Sequence, residues 1–400
     1  MASDPLLRHR SEFPILESST YLISNSLGAM PRAAAAALAE YAGTWATRGV
    51  RAWADSWWEM SVAVGDEIAP LFGASPGTVS MLPNVTTASA VLMSCLDYSG
   101  PRNRIVMAEG EFPSIRYVYE SLGRRLGAEV VTVPSPGGDG LSADEERIRD
   151  AIDDRTALVA VSHVLFKSAF VLDAAAIAEK CRRAGSLFAL DAYQSVGTLP
   201  VDVEALGADV LVGGVLKWLC GGPGGAFLYV RPELRARLTP ALTGWMAHPA
   251  PFSFEAPPMR YRQDAFRFLL GTPAVPALYA AREGPRIVRR AGLEAIRDKS
   301  LRQTGRLIAL AEARGFRSST PRDPRRRAGT ASVDFDNALE VSRELNARDV
   351  VVDYRPGVGI RMAPHFYTED AELDRAFAAI DEIRATGAWR RWLDRPAVVT

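Results

Sequence analysis

Lysine is scarce in this 400-residue chain: all but four of its 47 basic residues are arginine. That bias suggests codon usage and no function by itself, but it makes each lysine worth weighing. Acidic residues also number 47, so no overall field draws the chain to nucleic acid or an anionic membrane. Cysteine is nearly absent. Cys95, Cys181 and Cys220 are odd in number and far apart, which argues against a disulfide framework and fits a reducing, cytoplasmic setting. No C-x-x-C or His-x-His spacing offers a structural metal site. No charge-free apolar run reaches membrane-spanning length, and MASDPLLRHRSEFP contains no apolar signal core. Internal repeats and low-complexity tracts are also missing.

Hydrophobic residues make up 48% of a 43.4 kDa chain, enough for a large core and two lobes. Apolar runs at Val79–Leu82, Arg104–Ala108, Glu129–Val133, Ala157–Ser162, Leu187–Asp191, Asp209–Gly213 and Ala226–Val230 predict strands. Helical patterns at Ala88–Leu96, Tyr117–Leu126 and Ala174–Ala184 alternate with them. The class is therefore α/β, with a seven-stranded, mostly parallel sheet covered on both faces. Ligands of such sheets bind beyond the carboxyl ends of the strands. A further helix is expected over Arg32–Tyr41, and a helix-like segment after Asp191. Residues 247–263, rich in proline and aromatics, read as an excursion over the site or to a second subunit. A long, interrupted helix over 275–315 leads to a smaller α+β part. That part has strands at Ala331–Phe335, Val350–Asp353 and Ile360–Ala363, and a helix from about Asp370. Residues 318–329 read as a solvated loop. Trp45, Trp53, Trp57 and Trp58, near Arg48 and Arg51, suggest a packed edge or dimer contact.

The stretch Leu187–Val230 organises the rest. It places Asp191 at the end of an apolar strand and Lys217 before the glycine-rich turn Gly221–Gly225. Lys180 and Lys299 lie in charged helical patterns, and Lys167 in a loop-like composition after a strand. Lys217 alone sits among Val215, Leu216, Trp218 and Leu219. A buried ammonium is costly unless it is neutralised or used covalently. A lysine able to form a Schiff base, with an acid able to protonate a pyridine nitrogen, is the minimum set for pyridoxal phosphate.

Other segments add candidates. Val85 and Thr86 open a helix after the first sheet strand, where free amides suit a phosphate and Thr86 suits the N-cap. Phe112, held by Pro113, can stack on a planar ring, with Ser114 as a donor; a core phenylalanine is the plainer alternative. His163 reads equally as an acid–base group or a structural histidine. Gln194 can reach the cofactor or its phosphate. Arg361 needs an anion, either a substrate carboxylate or an internal acid. Asn25 reads equally as a substrate contact or a loop-closing side chain, and Thr272 as an extra phosphate donor.

Together these segments resemble the fold-type-I pyridoxal-phosphate enzymes of the class V aminotransferase group, and within it kynureninase most. The resemblance rests on Asn25-Ser26-Leu27-Gly28, Phe112-Pro113-Ser114, Ser162–Ser168, Asp191, Lys217, Gly222–Gly225, Gly244–His248 and Arg361. It implies an arm at residues 1–25 packing on the small domain, a cofactor-binding domain at 26–279 and a small domain at 280–400. It implies catalysis by Lys217 and Asp191. Cofactor contacts are implied from Val85, Thr86, Phe112, Ser114, Ser168, Gln194, Trp245 and Thr272, with Trp245 reaching across a homodimer. Arg361, Asn25, His163 and His248 are implied for an amino-acid substrate. The implied reaction is hydrolysis of kynurenine to anthranilate and alanine, with a class V aminotransferase, epimerase or C–S lyase as the alternative. Leu216, Ile115 and Gln194 stand where that group usually carries Tyr, Asp and His.

Overall fold

The computed structural model describes residues 4–395. The described residues form twelve strands in chain order: β1 (Thr20–Tyr21), β2 (Val79–Leu82), β3 (Arg104–Ala108), β4 (Glu129–Val133), β5 (Thr156–Ser162), β6 (Leu187–Asp191), β7 (Val210–Gly214), β8 (Ala226–Val230), β9 (Ala331–Val333), β10 (Val350–Val351), β11 (Asp353–Arg355) and β12 (Gly359–Met362). The first helices are α1 (Arg32–Arg48), α2 (Met60–Ile68), α3 (Val85–Met93), α4 (Pro113–Leu126), α5 (Glu145–Asp150) and α6 (Ala174–Ala184). They are followed by α7 (Val275–Ala281), α8 (Glu283–Ala291), α9 (Leu293–Glu312), α10 (Ala338–Asn346) and α11 (Asp370–Thr386).

Strands β2 to β8 form one sheet in the order β2-β8-β7-β6-β5-β3-β4. Neighbours are parallel except that β8 runs antiparallel to both β2 and β7. The sheet is buried on both faces, as a largely parallel sheet must be. Strand β5 shows why: Val159 and Val161 enter one apolar cluster, while Leu158 and Ala160 enter the other. A third cluster joins β9, β12, α9, α10 and α11. The N-terminal segment is tied to this C-terminal part. Strand β1 pairs in parallel with β10, and Arg10 places Nη1 on Glu372 at 2.7 Å and on the Tyr367 carbonyl at 2.9 Å.

Four expectations change. The stretch after Asp191 forms turns with no helix, because the Asp202 side chain accepts the Glu204 and Ala205 amides and closes an Asx turn. The helix over 275–315 is three helices, broken at Arg282 and Gly292. The strand at 350–353 divides at Val352, whose amide and carbonyl are both bonded by the Asn346 side chain (3.1 and 3.0 Å). The 318–329 loop is partly buried. The Arg327 guanidinium is inside it, donating to Thr304 Oγ1 at 3.0 Å and to the Arg322 carbonyl at 2.7 Å. Among the described residues no helix is long and apolar enough to cross a membrane.

Candidate active site

A cavity of about 300 Å³ lies at the carboxyl edge of the sheet. Its wall is assembled from segments far apart in sequence because parallel strands all end on the same side. The β2–α3 junction contributes Asn84, Val85 and Thr86; the β3–α4 junction contributes Phe112 and Ser114. Strands β5, β6 and β7 deliver Ser162, Asp191 and the turn carrying Lys217. Asn25 and Ser26 close one side, and Arg355 and Arg361 reach in from the C-terminal part.

Lys217 Nζ lies 4.4 Å from the Tyr193 ring centre and 5.4 Å from that of Phe112. Burial holds the amine below its ordinary proton affinity; Arg361 and Arg355 push the same way, while Asp191 opposes them. Burial also raises Asp191, against the Tyr193 amide on its Oδ1 at 2.8 Å and the nearby Lys217 charge. The lysine turn packs tightly on the N-terminal loop. The Gly28 amide donates to the Leu216 carbonyl at 2.9 Å, and a Cβ on Gly28 would sit 2.1 Å from the Lys217 oxygen. Gly214 is constrained similarly, since a Cβ there would fall 2.4 Å from the Tyr193 ring.

The N-cap of α3 is Asn84, not Thr86: its Oδ1 accepts the Thr87 amide at 2.9 Å. Val85 and Thr86 are thereby the first helical residues, whose amides have no intrahelical acceptor. Gln194 lines the cavity, but its amide is a clamp. Nε2 donates to the Asn25 carbonyl and Oε1 accepts Trp218 Nε1, both at 2.9 Å. That leaves it holding the loop and the lysine turn together. Asn25 is 1% exposed, and neither its Oδ1 nor its Nδ2 has a partner among the described residues. A polar ligand or water must satisfy it. Phe112 meets Phe166 edge to face at 5.2 Å.

Arg361 does have an internal acid. Its Nε lies 2.8 Å from Asp353 Oδ1, its Nη2 pairs with Asp353 Oδ2, and its Nη1 donates to the Phe166 carbonyl at 2.5 Å. Those bonds use three of the five N–H groups of a guanidinium. Arg355, which the sequence analysis did not single out, joins the same carboxylate at 3.1 Å. Its signal was the alternation Asp353-Tyr354-Arg355, which puts both charges on one face of β11. Glu111 was also missed. It is a buried carboxyl behind the cavity wall, and nothing in its sequence neighbourhood marks it.

Five candidates stay outside the cavity. His163, just past the end of β5, does not line it although Ser162 and Val164 on either side do; burial pushes its pKa down to about 4. Ser168 Oγ donates to the Leu141 carbonyl at 2.5 Å. Trp245 packs on Trp58 with ring centres 5.0 Å apart. His248 Nδ1 accepts the Ala250 amide at 3.1 Å, and Thr272 is exposed. The 251–258 part of the proline-rich excursion is mostly exposed and contributes nothing to this cavity.

A half-buried lysine and a buried acid at the carboxyl edge of a largely parallel α/β sheet define the class of fold-type-I pyridoxal-phosphate enzymes. The family model for class-V aminotransferases matches residues 20–359. Kynureninase of Burkholderia pseudomallei (strain 1106a) is 31% identical over 97% of this chain and 94% of its own length. An uncharacterised aminotransferase, YcbU of Bacillus subtilis (strain 168), is 32% identical over 94% of this chain and 97% of its own. Among solved structures, a cysteine desulfurase from Thermococcus onnurineus NA1 has a TM-score of 0.82 at 20% identity, covering 96% of this chain and 99% of its own. A C-DES variant with glycine covalently linked to its PLP cofactor has a TM-score of 0.84 at 22% identity, covering 93% and 98%. The chain belongs to the class-V aminotransferase family. Pyridoxal phosphate is its cofactor.

Proposed function

We propose that the chain is a kynureninase-like hydrolase that cleaves the β–γ carbon bond of an aromatic amino acid, yielding anthranilate and alanine from kynurenine. The observation that carries this reading is one pocket joining a buried amine, two arginines and an aromatic wall of Phe112, Phe166 and Tyr193. The cofactor fits the donors present: Lys217 for its aldehyde, Asp191 for its ring nitrogen, Phe112 for its face and the α3 amides for its phosphate. When bound, the cofactor supplies an electron sink for the substrate's α-carbon.

The chain's own residues do the rest. Asp191, ionised and shielded from water, holds a proton at the pyridine nitrogen. Arg361, oriented by Asp353, offers its remaining N–H groups to the α-carboxylate. Lys217, partly neutral because it is buried, takes the proton from Cα. The apolar lining from Ile115, Val164 and Leu216 suits an aromatic side chain and limits water to what the γ-carbonyl needs. A cytoplasmic homodimer is part of this proposal, supported by the exposed Trp45, Phe252 and Phe254. So are an arm at 1–25 and domains at 26–279 and 280–400, of which residues 1–3 and 396–400 lie outside the described residues.

The second reading is amino transfer, epimerisation or C–S cleavage, favoured by Leu216, which puts no proton-transferring side chain beside Lys217. Sulfur transfer onto a cysteine has less support. Burial pushes Cys95, Cys181 and Cys220 each up to about 12, so no thiolate is available. The test is an absorbance spectrum before and after L-kynurenine and 3-hydroxykynurenine, with anthranilates quantified. Release of the anthranilates supports hydrolysis. Spectral change with other amino acids and no anthranilate moves the assignment to the second reading. No band after adding the cofactor refutes both.

A further inference from the structure

Glu111 follows β3 and lies behind the cavity wall, 4% exposed. Both of its oxygens end on one residue. Oε1 accepts the Ser162 amide at 2.9 Å, and Oε2 lies 2.5 Å from Ser162 Oγ. Ser162 stands opposite Asp191 in the β5–β6 register and lines the cavity. A narrow void beneath is bordered by Glu111, Asp191, Ser89 and Tyr119. Two carboxyl groups therefore share one buried volume.

Among the described residues nothing cationic compensates Glu111. Asp191 faces it from β6 and Tyr119 from α4. On its other side a cleft holds Glu109, Arg116, Tyr117, Glu120 and Lys167. The two cations of that cleft are engaged elsewhere: Arg116 with Glu120 at 2.8 Å, and Lys167 with the Asp139 carbonyl at 2.9 Å. Lys217 acts on Asp191, and His163, just past the end of β5, is kept neutral by burial. An ionised Glu111 would be an unpaired anion beside a second one in a water-poor space, the arrangement proteins avoid by protonation. Burial accordingly pushes Glu111 up to about 8, with Asp191 adding to the effect against the Ser162 hydrogen bonds.

We propose that Glu111 is a positioning residue held as a neutral acid, whose O–H donates to Ser162 Oγ and so turns the Ser162 hydroxyl proton into the pocket. A hydroxyl has a single proton to give. With Glu111 ionised, Ser162 would donate to it and present only a lone pair to the cavity. With Glu111 neutral, Ser162 is a donor for an oxygen substituent of the bound cofactor, and Asp191 stays the sole anion under the ring among the described residues. What Ser162 meets rests on the cofactor reading; the protonation of Glu111 does not.

Glu111→Gln tests it. The amide retains an acceptor for the Ser162 N–H and a donor for Ser162 Oγ, and it cannot ionise. Urea unfolding of the cofactor-free wild type and variant is followed from pH 5.5 to 9. An unfolded glutamate ionises near pH 4.3. Wild type should therefore lose about tenfold in folding equilibrium per pH unit relative to the variant, levelling above pH 8. A difference that stays constant over this range overturns the proposal. In the loaded protein at pH 7, Ser162→Ala should shift the cofactor absorbance while Glu111→Gln leaves it at the wild-type position. Equal shifts in both variants also overturn it. Failure of any band to form refutes the cofactor reading, and the unfolding series then decides Glu111 by itself.

Discussion

Asp353 is the carboxylate on which both pocket arginines converge, and Asp353→Ala should be among the most damaging single changes in the chain. Asp353 is 0% and Arg361 2% exposed. Removing the acid leaves the fully buried Arg361 guanidinium without its carboxylate. Breaking a buried pair in this way costs about 3–5 kcal/mol, mostly the penalty of the stranded charge. The reverse change should be milder. In Arg361→Leu, Asp353 keeps Arg355 at 3.1 Å, so the loss should be about half as large by the same reasoning. Urea unfolding read by tryptophan fluorescence measures both, comparing midpoints and slopes because a two-lobed chain need not unfold in one step. A carboxylate-bearing substrate analogue should restore more stability to Asp353→Ala than to wild type, since it supplies the missing anion. Asp353→Ala within about 1 kcal/mol of wild type, or Arg361→Leu the worse of the two, would refute the charge argument, because it rests on the 3–5 kcal/mol of a broken buried pair.

Other outcomes follow from the same geometry. Added pyridoxal phosphate, trapped by reduction and located by peptide mass, should mark Lys217, with a rate rising near pH 8 because burial lowers its pKa to about 8. Asp191→Asn should move that rise to lower pH, and labelling at Lys167, Lys180 or Lys299 instead would count against the site. His163, depressed by burial to about 4, stabilises the fold above its unfolded pKa of about 6.5, and that contribution is lost as pH falls through 4. His163→Leu should flatten this part of the acid-stability profile and preserve turnover; more than about tenfold loss of kcat would place the ring in the chemistry after all. Iodoacetamide at pH 7.5 should leave the native protein active, since all three thiols are raised to about 12; rapid inactivation would reopen the sulfur-transfer reading. Gly28→Ala should destabilise by about 1–3 kcal/mol through collision with the Lys217 turn, and an unchanged unfolding midpoint would show that the loop yields instead.

Local pattern was enough for the sheet strands and for placing Lys217 and Asp191 at the same edge of the sheet. Each strand of a doubly covered sheet must be an apolar run; Asp191 ends one such run, and Lys217 lies in the turn beyond another. The same logic located the loops that carry Val85, Phe112 and Asp191, because every parallel strand ends at one edge. Pattern misled where a side chain replaced a backbone partner: Asn346 splits a strand at Val352, and Asp202 closes a turn where a helix was expected. Direction and commitment were beyond it. His163 and Ser162 are neighbours, yet the chain leaving β5 gives the cavity only the serine of the two. Gln194 has the chemistry of a ligand contact, but packing spends it on Asn25 and Trp218. The convergence of Arg361 and Arg355 on Asp353, and the burial of Glu111 beside Asp191, are long-range facts. They depend on which charges the folded chain removes from water together, and a linear sequence does not record that.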